Sequence, residues 1–488
     1  MNASTWVGNA AARSVALDEF RAAIRARLGA GARLVTFYGR PSADPAEVIL
    51  TAVVAEAGRL EILRTSVSRE RGYHTLTRDL PPLHIFEREL YEQLGVQPHD
   101  HPWLKPVRFE GASMGKTASY PFYKISGKEV HEVGVGPIHA GVIEPGHFRF
   151  MCLGETVHHL EIQLGYQHRA AESLLLERDA RLLAPVIETI AGDSTIAHAW
   201  AYCDALEALA GVEVPAEIEW SRAIALELER VAMHLAGLAG MSTDIAFLQG
   251  GASYGRLRTT AINTSMLLCG SRFGRGWLRP ASSRAVMTSE VAGTVQANLA
   301  LLRKDVAIIN EHFLSARSVQ HRLQGVGTVT RAQALELGLV GMAARSCGLD
   351  LDARTQLQRP AFQRQPVKVV TEPGGDCWGR ARLRIRELDE SLGWLDAAVK
   401  ACGTLQLSRA TIGALAPDTL AISVAEGWRG EVVHCLETDG AGKLLHYKVQ
   451  DPSLRNWFGL ALAVRNNEIS DFPICNKSFD LSYCGNDL

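Results

Sequence analysis

The sequence predicts an α+β protein. A small N-terminal α/β domain, residues 1–112, precedes a large, mainly helical bundle domain, residues 131–488, that carries small β subdomains. Three observations predict it. The first hundred residues set short helical repeats beside β-prone apolar runs. Beyond about Thr156 the apolar residues recur at three- and four-residue steps over long stretches. From about Leu420 β-prone arms return around a turn. Residues 113–130 carry Gly, Ser and Pro without periodicity and read as a linker.

In the N-terminal part, EFRAAIRARL reads as an amphipathic helix. RLVTFYG and VILTAVVAEAG read as strands separated by a Pro-Ser-Ala-Asp-Pro loop. A second helix, LHIFERELYEQLG, sets Ile85, Leu90 and Leu94 on one face with Phe86 beside them, and Gly95 ends it. KEVHEVGVGPIHAGVIEPGHFRFMCLG reads as strands and turns. In EIEWSRAIALELERVAMHLAGLAG, Ile224, Leu228, Val231, Leu235 and Leu238 form one continuous core stripe, as in a helix bundle. RGEVVHCLETDGAGKLLHYKVQ sets an Asp-Gly-Ala-Gly turn between two strands.

Composition narrows the function classes. Lys plus Arg number 51 against 53 Asp plus Glu, so the net charge of -2 supplies no field for gripping nucleic acid. No run approaches the roughly 18 apolar residues that span a bilayer. The N-terminus has no basic segment followed by an apolar one, so a cytoplasmic location is expected. Nine cysteines are scattered without any pair at a two-residue gap and read as reduced, small buried hydrophobes. Neither a GxGxxG nor a Walker pattern is present, so no dinucleotide or nucleoside triphosphate site is expected.

Specific motifs narrow it further. Glu87-Arg88-Glu89, then Tyr91, Leu94-Gly95 and His101-Pro102, resemble the end of the small C-type subunit of complex I. Residues 134–150 and 160–178 resemble the opening of the D-type subunit and of group 4 nickel-iron hydrogenase large subunits. Gly325-Val326-Gly327, residues 344–354 and residues 374–392 follow in the same family's order. The chain is thus similar to a fused C/D-type large subunit of the formate-hydrogenlyase kind.

In those hydrogenases four cysteines hold the metals, because a soft nickel-iron pair prefers thiolate ligands. Here Ala191 and Ser194 stand at the first two positions and Ser482 and Gly485 at the other two, with Cys484 one residue out of register. The expectation is therefore that no metal is held, as in the hydrogenase-related complexes that the sequence resembles. The complex I branch uses the same cavity for quinone. Its quinone-touching Tyr falls on Gly192 here and the partnering His falls near Pro145, with His147 close by.

The resemblance implies a set of pocket residues. Asp193, His198 and His139 are the expected catalytic group, and His147, Ser194 and Arg345 are expected to meet a quinone or other acceptor. Each has a structural alternative: a polar loop filling an empty site for Asp193 and Ser194, a helix pin for His198, a satisfied histidine for His139, and architecture for Arg345, Asp376 and Arg380. His168, Arg169 and Glu172 read either as a charged relay or as a structural cluster. A metal site rebuilt from His139, His198 and Asp193 is a further reading. No tightly bound cofactor is expected on this chain. The implied partners are a small iron-sulfur subunit and antiporter-like and quinone-site membrane subunits, with the chain peripheral on the inner face of the membrane.

Overall fold

The computed structural model describes residues 5–9, 14–110, 119–139, 143–357 and 359–488. Residues 113–118 of the expected linker lie outside them. The chain is α+β, as the sequence predicts.

β1 (Thr5–Asn9) and α1 (Leu17–Gly29) precede an antiparallel sheet of β2 (Arg33–Pro41), β3 (Glu47–Glu56) and β4 (Arg59–Ser68). The sequence reading had two of these three strands. β4 follows because Ala57 and Gly58 both take positive φ, giving the two-residue turn whose twist suits a hairpin. Next come β5 (Tyr73–His74), α2 (His84–Leu94) and β6 (Pro98–His99). Gly95 closes α2 in the left-handed conformation at φ 71°, as expected.

β7 (Val130–Val135), β8 (His147–Leu153) and β9 (Thr156–Gln163) make a second antiparallel sheet. The helical part therefore starts later than Thr156. A tight Gly154-Glu155 turn folds β9 back on β8, and that pairing captures the segment.

Helices follow: α3 (Ala171–Leu176), α4 (Ala184–Ile187), α5 (Thr195–Leu209), α6 (Ala216–Asp244) and α7 (Leu248–Cys269). The α6 stripe of Ile224, Leu228, Val231, Leu235 and Leu238 is buried throughout, at roughly 1.5–3 kcal/mol for each such side chain. Glu217 and Glu219 in its first turn complement the helix dipole. A small sheet joins β10 (Leu278–Arg279) and β11 (Ser282–Ser283) to β12 (Ser408–Arg409). Between them run α8 (Ser289–Ser315), α9 (Arg317–Leu323) and α10 (Arg331–Glu336). Three short helices, α11 (Gly341–Arg345), α12 (Ala353–Gln356) and α13 (Pro360–Arg364), lead to α14 (Cys377–Cys402). Asp376 caps α14 by accepting from Gly379 N at 2.7 Å. Among the described residues no helix is long and apolar enough to cross a membrane.

The C-terminal part positions the site. β13 (Thr419–Glu426), β14 (Glu431–Thr438) and β15 (Leu444–Gln450) form an antiparallel sheet that β1 completes on the free edge of β13. The expected hairpin is β14–β15. Val35, Tyr38, Val53 and Ile62 of the N-terminal sheet pack on Leu420, Ile422, Val433 and Cys435 of this one in a shared apolar cluster. Then come α15 (Pro452–Ala463), α16 (Phe472–Phe479) and α17 (Tyr483–Asp487).

Candidate functional site

Two chain segments distant in sequence meet between α5 and the C-terminal sheet: the 189–194 loop and the 480–488 tail. Loop 165–169 clamps them together. Arg169 donates to the carbonyls of Thr189 and Ile190, and the Gly165 and Gln167 amides donate to the Asp487 carboxylate at 2.8 and 2.9 Å. His168 Nδ1 lies 2.7 Å from Asp487 O. Glu172 accepts from Val449 N at 2.9 Å and pairs with the buried Lys448, which also pairs with Glu89 of α2. His168, Arg169 and Glu172 therefore hold segments together.

At the meeting point stands Arg429, in the turn between β13 and β14. Its Nη1 and Nη2 donate to Asp193 Oδ1 and Oδ2 at 2.6 and 2.7 Å, a bidentate pair, and Nη1 lies 3.3 Å from Ser194 Oγ. Its Nε donates to the Asp480 carbonyl and its guanidinium stacks on Trp428 at 3.9 Å. Trp428 Nε1 fixes the loop from the other side by donating to Asp193 O at 2.8 Å. Burial opposes the charge of Arg429, but Asp193, Asp480 and Asp451 outweigh it and keep the guanidinium charged. The Arg429 side chain is 5% exposed, whereas that of Asp193 is 38% exposed. Asp193 is the group that reaches solvent.

Behind this pair runs a buried hydrogen-bond chain. His198 Nε2 lies 3.1 Å from Asp451 Oδ2, His198 Nδ1 lies 3.1 Å from His434 Nε2, and His434 Nδ1 lies 2.8 Å from Tyr447 Oη. All four residues are buried. Burial pushes the Asp451 carboxyl up, but the hydrogen bond from His198 and the field of Arg429 win and hold it below its ordinary value. An ionised carboxylate only accepts, which sets the direction of the chain for neutral imidazoles. His198 Nε2–H donates to Asp451, His434 Nε2–H donates to His198 Nδ1, and Tyr447 O–H donates to His434 Nδ1. Burial, then the neighbouring His198, hold His434 well below the usual imidazole range, and burial keeps Tyr447 a phenol. With a proton on His198 Nδ1 and His434 in its Nδ1–H tautomer, the His198–His434 and His434–Tyr447 bonds would reverse while the His198–Asp451 bond keeps its direction.

A third element is Glu229 of α6. It accepts from the Ile196 and Ala197 amides at the start of α5, at 2.7 and 3.4 Å. Burial is the main cause that raises its pKa to about 8, and Asp193 adds to it. Asp193, Ile196, Glu229, Phe273 and Trp277 line a narrow void of about 10 Å³ beside them, close to the least that admits one water.

The expected metal positions do not fit a nickel-iron pair. Ala191 has no donor atom. Ser194 Oγ faces the Arg429 cation, and Ser482 Oγ caps α17 by accepting from Gly485 N at 2.9 Å. A Cβ on Gly485 would lie 2.6 Å from the Asp451 carboxyl carbon, so Asp451 fills the space of the fourth ligand. Among the described residues no three His, Cys, Asp or Glu side chains are grouped to hold a metal ion.

Of the expected residues, the structure brings Asp193, Ser194 and His198 together. His139 Nε2 lies 2.9 Å from Gly146 O and His147 Nδ1 lies 3.1 Å from Gly136 O, so each ties its own loop across to itself. It is Glu144 that reaches the tail, accepting from Tyr483 N at 3.2 Å; residues 140–142 of that motif lie outside the described residues. Arg345 sits in a separate, wholly buried cluster with Glu387 at 2.7 Å and Glu426 at 2.6 Å. Asp376 caps α14, and Arg380 donates to the carbonyls of Gly375 and Gly327.

Comparison with known proteins agrees with these motifs. The family described as respiratory-chain NADH dehydrogenase, 49 Kd subunit, matches residues 250–407. Formate hydrogenlyase subunit 5 of Escherichia coli K12 is 27% identical over 84% of this chain and 76% of its own length. The D-type subunit of NADH-quinone oxidoreductase from Dehalococcoides mccartyi is 28% identical over 72% of this chain and 96% of its own. The chain is similar to the large subunits of complex I and of group 4 hydrogenases. Membrane-bound hydrogenase subunit alpha of Pyrococcus furiosus, 26% identical over 72% of this chain and 85% of its own, is another relative. The fold is that of a chain in the membrane-bound sulfane sulfur reductase, an archaeal respiratory membrane complex, with a TM-score of 0.69, 20% identity, and coverage of 75% of this chain and 100% of that one. These likenesses support an oxidoreductase-type large subunit of a complex I-like or hydrogenase-related assembly.

Arg429, Asp451, His434 and Tyr447 are the residues that sequence reasoning missed. His434 had a signal, a lone histidine within the apolar run Val432-Val433 and Cys435-Leu436. Asp451 had an ordinary explanation, since it precedes Pro452 and caps α15.

Proposed function

We propose that this chain is the large subunit of a peripheral, membrane-associated oxidoreductase complex. It takes electrons from an iron-sulfur partner subunit and supports reduction of a quinone or other acceptor near the 189–198 loop, coupled to ion translocation by antiporter-like membrane partners. The observation that carries this reading is the Tyr447–His434–His198–Asp451 chain standing behind the half-exposed Asp193–Arg429 pair. Reducing a quinone consumes two electrons and two protons, and a centre without metal ligands that retains a directed proton chain suits the second half of that requirement. The Arg429 guanidinium would stabilise negative charge developing on an acceptor oxygen, and Asp193 would exchange protons with solvent.

A second reading is a non-catalytic scaffold that transmits conformational change. It is favoured by the satisfied hydroxyls of Ser194 and Ser482 and by the narrowness of the void beside Asp193. The two readings separate on the intact complex purified from membranes, assayed for reduction of a water-soluble quinone analogue and for hydrogen evolution. Quinone turnover that falls in Asp451→Asn, without hydrogen evolution, supports the first. Full assembly with no turnover supports the scaffold.

A further inference from the structure

We infer that Cys377 and Cys475 form a redox-active dithiol that closes to a disulfide under hydroperoxide and reopens under small thiols. The two lie 98 residues apart in sequence but border one space. A Cβ on Gly327 would lie 2.7 Å from Cys475 Sγ and 3.2 Å from Cys377 Sγ, and Gly327, at φ 65°, leaves that space free. In the same loop Gln324, Gly325 and Thr328 are exposed, while Gly327 and both thiols are buried.

The surroundings activate one sulfur. Cys377 is the first residue of the 26-residue α14, where the helix dipole favours an anion. Arg380 Nη2 lies 3.4 Å from its Sγ, and Ser478 Oγ lies 3.5 Å away. Burial would raise the thiol, but the hydrogen bond from the Cys475 thiol and the Arg380 charge outweigh it and hold Cys377 below the ordinary thiol value. The other eight cysteines are all pushed up, including Cys402 and Cys484 to about 11. Cys475 is raised chiefly because it faces the Cys377 thiolate, a cause that disappears once Cys377 is oxidised.

The reaction balances. The Cys377 thiolate attacks one oxygen of the peroxide, the O–O bond breaks, hydroxide leaves and Cys377 becomes a sulfenic acid. Cys475 then attacks that sulfur and displaces water. The two thiols lose two electrons and two protons, and hydrogen peroxide becomes two waters. The disulfide would tie the start of α14 to α16, whose last residue, Phe479, leads straight into the 480–488 tail of the candidate site.

The test is to treat the full chain with limiting hydrogen peroxide, block the remaining thiols with a maleimide and map all nine cysteines by peptide mass spectrometry. A Cys377–Cys475 linked peptide that appears before other cysteines are modified, and that dithiothreitol reverses, is the expected result. In Cys475→Ser, dimedone should trap Cys377 as a sulfenic acid. Recovery of Cys377 as a free thiol while other cysteines are oxidised, or equal reaction of all nine, would overturn the inference; the mapping of the unaltered chain needs no variant to fold.

Discussion

Two arginine-carboxylate clusters draw on the end of β13 and the turn that follows it, and they differ in one respect that separates architecture from chemistry. Arg345 is wholly buried and meets Glu387 and Glu426, themselves at most 2% exposed. Arg429 is also buried, but its partner Asp193 is 38% exposed and adjoins a buried imidazole chain. A closed cluster has no route for protons or ligand, and its loss leaves carboxylates stranded. An open one can lose its outer member to water at small cost, so stability alone does not account for it.

The largest expected effect tests the closed side. Arg345→Met should cost about 3–5 kcal/mol, because buried Glu426 would lose its ion-pair partner and Glu387 would keep only Arg230 and His234. Urea unfolding of the purified chain measures it. A cost under about 1 kcal/mol would erase the contrast on which the comparison rests.

Next is the pH dependence of Glu229, which lies buried beside Asp193. Its folded pKa of about 8 stands above the ordinary glutamate value of 4.5, so between those values the folded chain keeps a proton that the unfolded chain has released. Its contribution to stability is therefore full below about pH 4.5, falls as pH rises, and is lost above about pH 8, by roughly 3–5 kcal/mol. Comparing unfolding of the unaltered chain and Glu229→Gln from pH 5 to 9 should show that slope in the first and its loss in the second.

For the open side, His198→Gln should lower quinone-analogue turnover of the complex about a hundredfold, the lower end of a general acid-base contribution. His198→Ala with added imidazole should recover part of it, which a purely structural histidine would not. The smallest stability effect is expected for Asp193→Asn. A half-exposed ion pair contributes about 1 kcal/mol or less, so its melting curve should nearly overlay that of the unaltered chain while turnover falls.

Legibility followed the same division. Local periodicity showed α2, α6 and the β14–β15 hairpin, because their patterns lie within one segment, and the family-like motifs led to the 189–198 loop and so to Asp193, Ser194 and His198. β4 and β9 needed pairing partners to declare themselves. Arg429, His434 and Asp451 lie 236 to 253 residues from the groups they bind, and only the sheet brings them in. Nothing in the local sequence of Asp451 distinguishes a helix cap from the residue that orients His198, since it does both.

The most direct test of the central claim, that a proton-handling arginine-carboxylate centre occupies the place of nickel and iron, is metal analysis of the intact complex purified from membranes. The account predicts iron attributable to partner clusters and no nickel above background. One nickel per large subunit would contradict it.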